Sequence, residues 1–167
     1  MDFKQIRPGE IKDNAFSMIS TVWMLITAGI PGNYNTMTAS WGGFGHLWHK
    51  DVCFIFIRPQ RYTYRFIENN SVFTLSFFNE QYRDALKLCG TKSGKDIDKV
   101  AEAGLTPVKS PQGSIYFNEA RLVIECRKIY FHDINPQFFL DQNIASNYTN
   151  RDYHRMYTGE ILTVLAR

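Results

Sequence analysis

Cysteine is scarce: Cys53, Cys89 and Cys126 are the only three in 167 residues, with no CxxC pair and no zinc-site spacing. An odd number of distant thiols argues against a disulfide framework, and reduced cysteines are expected. No apolar run approaches the roughly 20 residues that span a bilayer, and Met1 to Glu10 lacks the apolar core of a signal peptide. A soluble, cytoplasmic protein with no membrane partner is therefore expected. Charge of one sign is nowhere concentrated. The net charge of +3 comes from scattered residues, without a Lys/Arg block or an acidic tail, so no nucleic-acid partner is expected. GxGxxG, the GxSxG elbow, the Walker loop and HExxH are also missing, and His46, His49, His132 and His154 show no metal spacing. With side-chain nucleophiles, metals and Rossmann binding disfavoured, chemistry borrowed from a cofactor is the better expectation.

What is present points to a β-rich fold. Aromatic residues form 15% of the chain and sit in short runs with β-branched neighbours, which suits a half-buried pleated surface. Strands are expected at Val22 to Ala28, Tyr34 to Ala39, Val52 to Ile57, Val72 to Phe78, Arg121 to Phe131 and Glu160 to Ala166. In the fifth, Leu122, Ile124 and Cys126 alternate with Arg121, Glu125 and Arg127, so one face should meet the core. Short helices are expected at Lys12 to Ser20, Arg61 to Glu68, Glu80 to Leu86 and Asp96 to Ala103. Asn135 to Asn150 reads as an excursion with one helical turn. The length suits one domain spanning 1–167, and the absence of regular βαβ alternation favours an antiparallel barrel with peripheral helices.

Four segments carry candidate chemistry. In Asn35-Thr36-Met37-Thr38-Ala39-Ser40-Trp41-Gly42-Gly43, Thr36, Thr38 and Ser40 offer hydroxyls while Met37 and Trp41 offer apolar surface, a combination suited to a flat polar ring. An ordinary edge strand explains the same residues. In Arg58-Pro59-Gln60-Arg61-Tyr62-Thr63 a strand feeds a helix start, where free N–H groups, Thr63 and two guanidinium groups suit a phosphate. A solvated turn is the alternative. Cys89-Gly90-Thr91-Lys92-Ser93-Gly94-Lys95-Asp96 is glycine-rich, yet its GxxxGK spacing is not a P-loop. It either approaches a ligand closely, with Lys95 answering a phosphate, or is a flexible surface loop. In Tyr153-His154-Arg155-Met156-Tyr157-Thr158-Gly159-Glu160, His154 either meets a cofactor or is a structural histidine.

Taken in order, NTMTASWGG, RPQRYT, CGTKSGKDIDK and YHRMYTGEI resemble the successive signature segments of flavin reductase-like proteins of the FMN-binding split-barrel superfamily, in particular the flavoredoxin-like branch. The resemblance covers almost the whole chain. It implies a six-stranded antiparallel split barrel forming a homodimer, with one FMN per subunit in a groove at the dimer interface. Asn35 to Trp41 would cradle the isoalloxazine and ribityl, and Arg58, Arg61, Tyr62 and Thr63 would grip the phosphate. Cys89, Gly90, Ser93, Gly94 and Lys95 would line the flavin site, and His154 would sit near the ring. The implied activity is hydride transfer from NADH or NADPH through FMN to flavin or another acceptor. A flavoredoxin-like electron carrier with a protein redox partner and no nicotinamide site is the alternative. A pyridoxamine-phosphate-oxidase-like enzyme fits WGG and CGTKSGKD poorly. The excursion from Asn135 to Tyr153 departs from the family pattern and is expected to cover the flavin face.

Overall fold

In the computed structural model, which describes residues 2–167, an antiparallel sheet of eight strands curls around an apolar interior. The strands are β1 (Lys4–Ile6), β2 (Met24–Ile30), β3 (Asn33–Ala39), β4 (Gly42–Leu47), β5 (Lys50–Ile57), β6 (Val72–Phe77), β9 (Leu122–Asp133) and β10 (Arg155–Ala166). The sheet runs β3-β2-β6-β9-β10-β5-β4, with β1 paired to β10. A separate hairpin, β7 (Pro107–Lys109) with β8 (Ile115–Phe117), lies against the outer face. The arrangement is the mainly β split barrel expected, with every one of the six expected strands in place. It gains β1, which pairs with the end of β10, and β4, in which the glycine-rich run from Gly42 to Gly45 is recruited by the edge of β5.

Strict alternation builds the interior. Met24, Ile26 and Ala28 of β2, Phe73, Leu75 and Phe77 of β6, and Leu122, Ile124 and Cys126 of β9 all point inward with Ile55 and Tyr157. Each such large side chain contributes about 1.5–3 kcal/mol by leaving water. The same pleat sends Leu25, Thr27, Thr74, Ser76, Val123 and Glu125 outward. That outer face is not solvated, since Leu86, Cys89, Val100, Ile115 and Phe117 cover it. Glu125, expected on the polar side of its strand, is consequently buried beneath the β7–β8 hairpin and accepts hydrogen bonds from Ser110 and the Gln112 N–H.

The helices are short: α1 (Ala15–Ser17), continued by a π-type turn at Met18–Val22, α2 (Tyr62–Asn69), α3 (Arg83–Thr91) and α4 (Lys99–Glu102). In α2 the buried residues Thr63, Phe66 and Ile67 recur at helical spacing, and the chain turns extended at Asn70. The expected helix at Glu80 to Leu86 is a 3-10 turn at Glu80–Tyr82 followed by α3, and that at Asp96 to Ala103 shrinks to α4, capped by Asp98. The excursion holds two 3-10 segments, Pro136–Phe138 and Gln142–Tyr148. Among the described residues no helix is long and apolar enough to cross a membrane.

Candidate functional site

β3 ends the sheet, so one of its edges carries no partner strand, and α2 and α3 pack on either side of it. Three cavities follow this strand. One of about 180 Å³ lies at its C-terminal end among Met37, Ser40, Trp41, Phe56, Arg58 and His154. The next, of about 250 Å³, lies among Asn35, Arg61, Thr63, Ser93 and Lys99 and shares Met37 and Arg61 with the first. The third, of about 420 Å³, is bounded by Gly94, Lys95 and the chain leading into Asn35 from Gly32. A continuous groove results, apolar and aromatic at one end and cationic in the middle.

The middle is built by local sequence. Arg61 precedes α2 in an extended conformation, leaving the first N–H groups of the helix without intrahelical partners. One Arg61 guanidinium N–H donates to the Gly90 carbonyl at 2.9 Å. Asn35 donates its amide to the Thr63 hydroxyl at 2.7 Å, tying β3 to α2. A Cβ at position 94 would overlap the Asn35 side-chain amide oxygen, so a side chain there must displace Asn35 or the loop, whereas a Cβ at Gly90 would only crowd the Thr38 Cβ at 3.2 Å. These two glycines let the end of α3 and the loop after it approach β3.

Lys99 is the cation that sequence reasoning missed. It is 4% exposed, and its ammonium donates to the carbonyls of Cys89 and Lys92 at 3.1 and 3.3 Å, capping the end of α3. Burial, with Arg61 adding to it, pushes its pKa down to about 8. Lys95, the residue the GxxxGK spacing drew attention to, is exposed. A lysine in a polar helix start reads as solvated, so no local signal separates Lys99 from its neighbours.

At the aromatic end, His154 is 8% exposed, with its ring 5.0 Å from Trp41 and its Nδ1 2.9 Å from the Tyr148 hydroxyl. Burial, reinforced by Arg58, pushes its pKa down to about 4, so the imidazole is neutral at pH 7. In the tautomer in which the Tyr148 hydroxyl donates to Nδ1, the ring hydrogen resides on Nε2. Arg58 is committed to the excursion: its guanidinium pairs with Asp152 at 2.5 Å, donates to the Asn147 carbonyl at 2.9 Å and lies over the Tyr148 ring. Gln60 donates to the same Asp152 oxygen. Arg58 was expected on a phosphate beside Arg61, and its partner ninety-four residues away was invisible in the local pattern.

The groove thus gathers Asn35, Met37, Thr38, Ser40, Trp41, Arg58, Arg61, Tyr62, Thr63, Ser93, Gly94, Lys95 and His154, while Gly90 lines an adjoining cavity. Two residues picked from sequence stand apart. Thr36 faces the covered outer side of the sheet, where its hydroxyl meets Thr27 and the Ile26 carbonyl. Cys89 is fully buried on the inner face of α3, with its thiol pushed up to about 11 by that burial, and is no nucleophile at neutral pH.

The residues present fit a flavin mononucleotide: a cationic, hydroxyl-bearing cradle with free helix N–H groups for a phosphate, and a slot walled by Trp41, Met37 and Phe56 for a planar ring. Comparison with the curated proteins returns no match. Solved structures share the fold. An FMN-binding domain of a flavin reductases-like enzyme from Shewanella baltica has a TM-score of 0.72 at 15% identity, covering 99% of this chain and 78% of its own. Flavoredoxin of Desulfovibrio vulgaris has 0.69 at 24%, covering 97% and 77%. An NADH:FAD oxidoreductase from Streptomyces globisporus has 0.66 at 14%, covering 86% and 74%. Residues 16–165 match the Flavin reductase like domain, nearly the whole length, and the chain belongs to that family.

Proposed function

We propose that the chain binds FMN along β3 and works as a flavin-dependent oxidoreductase, moving electrons from NADH or NADPH to flavin or another acceptor. The observation that carries this reading is the placement of a cationic cradle and an aromatic slot end to end on one strand. Arg61 and Lys99 would hold the phosphate together with Ser93 and the first N–H groups of α2. Trp41, Met37 and Phe56 would sandwich the ring and exclude water from it. His154, neutral and fixed by Tyr148, would donate from Nε2 to a ring-edge acceptor. Bound FMN supplies the redox chemistry, accepting hydride and releasing electrons singly or in pairs. No side chain of the groove is required as a general acid or base.

A second copy of the chain is part of this proposal. Trp41 is 44% exposed at the open flank of the slot, and Trp48, Tyr130 and Phe131 leave further apolar surface bare. A homodimer would cover that flank. The excursion favours a second reading, a flavoredoxin-like carrier served by a protein partner, because Asp152 and Tyr148 anchor it beside Arg58 and His154 at the slot where a nicotinamide would stack.

An anaerobic titration of FMN into flavin-free protein, followed by NADH or NADPH, tests the reading. Uptake with red-shifted fine structure, then bleaching by a nicotinamide, is the expected result. Uptake with bleaching by dithionite alone selects the carrier. Failure to take up FMN at all removes both.

A further inference from the structure

Beside the aromatic slot, on the other side of β3, lies a cavity of about 240 Å³ lined by Trp23, Thr38, Ser40, Leu86, Lys87 and the chain at Gly90–Thr91. It shares Thr38 and Ser40 with the slot, so the two open next to each other. We propose that this cavity binds a planar aromatic molecule carrying one acidic group, with its plane against Trp23 and its anion at Lys87.

The walls are less polar than their residue names suggest. The Thr38 hydroxyl is spent on the Leu86 carbonyl at 2.5 Å and the Thr91 hydroxyl on the Lys87 carbonyl at 2.9 Å. Only Ser40 and the Lys87 ammonium remain to answer a ligand, so the cavity suits an apolar body with a single polar handle. Lys87 is the one charged side chain on the wall. Its partner Asp84, at 3.2 Å, is 95% exposed and does not line the cavity, so the pairing is weak and exchangeable.

Trp23 packs by part of its surface against the outer apolar cluster and leaves the rest on the cavity. Its backbone sits at φ 69°, a region costly for a bulky residue. Three contacts fix it there: its indole N–H donates to the Ser20 carbonyl at 3.2 Å, the Arg83 guanidinium lies 4.4 Å from its ring centre, and Arg83 also donates to the Thr21 carbonyl at 2.8 Å. A strained, braced aromatic plane on an apolar cavity is the arrangement a flat ligand needs. Binding at this site stands on these observations alone and does not depend on the flavin reading above.

The test uses 2-naphthoate and the neutral 2-naphthalenemethanol on flavin-free protein, read by tryptophan fluorescence, with equilibrium dialysis in the presence of FMN. Saturable quenching by 2-naphthoate is expected. Lys87→Gln should weaken it by about threefold and Lys87→Glu by about tenfold, with the neutral compound indifferent to both. Trp23→Phe should keep the affinity and lose most of the quenching. Absence of saturable binding, indifference to Lys87→Glu, full quenching in Trp23→Phe, or displacement of naphthoate by FMN would each overturn the proposal. Binding of naphthoate by a protein that refuses FMN would uphold the cavity while removing the flavin reading.

Discussion

Replacing Arg61 with alanine isolates the phosphate contribution to flavin affinity. Arg61 lines both the cradle and the slot, and one of its donors is held by the Gly90 carbonyl, so the guanidinium is already oriented before a ligand arrives. A charge-assisted contact of this kind is worth about 1.5–3 kcal/mol, which corresponds to a loss of about 10- to 150-fold in FMN affinity. Riboflavin has the same ring without the phosphate, and its affinity should shift by no more than about threefold. Flavin fluorescence quenching measures both constants on the same preparation. Thermal unfolding of the flavin-free variant should show the modest cost of one lost hydrogen bond, about 0.5–1.5 kcal/mol. Equal weakening of FMN and riboflavin, or no change in either, would refute the placement of the phosphate at Arg61.

His154→Gln should remove a pH effect on stability: the buried neutral imidazole has its pKa lowered to about 4, so its contribution is present above the unfolded value near 6.5 and lost as pH falls from there towards 4. Melting temperatures of the two proteins should therefore converge at low pH within that window. Glu125→Gln should act in the opposite direction. Burial raises the Glu125 carboxyl, so its contribution is present below the unfolded carboxylate pKa and lost as pH rises through the folded one; urea midpoints at pH 8 should favour the variant. Gly94→Ala should force the loop away from Asn35, costing about 1–3 kcal/mol in a urea titration and weakening FMN, and an unaltered protein would contradict the contact drawn there.

Much of the fold was legible because alternation is a local signal. Leu122, Ile124 and Cys126 declare the inward face of β9 without any knowledge of what they pack against. The same rule misjudged Glu125, since nothing in its strand announces that the β7–β8 hairpin folds over it. β4 was hidden by its own glycines, which signal a turn locally and pair with β5 only in three dimensions. At the site, Asn35, Arg61 and Gly94 were readable as hydroxyl-rich strand, helix start and glycine loop. Lys99 and the Arg58–Asp152 pair were not, because burial and a contact across ninety-four positions leave no trace in spacing.

Although β3 and β4 lie at opposite ends of the sheet's path, only Ser40 and Trp41 separate them in the chain. Among the described residues no ladder rung joins the two, so prising them apart breaks no backbone pairing. Admission of a bulky guest between them is then governed by the torsions of two linking residues rather than by the melting of a strand. A barrel closed all the way round would have to sacrifice several main-chain bonds for the same freedom.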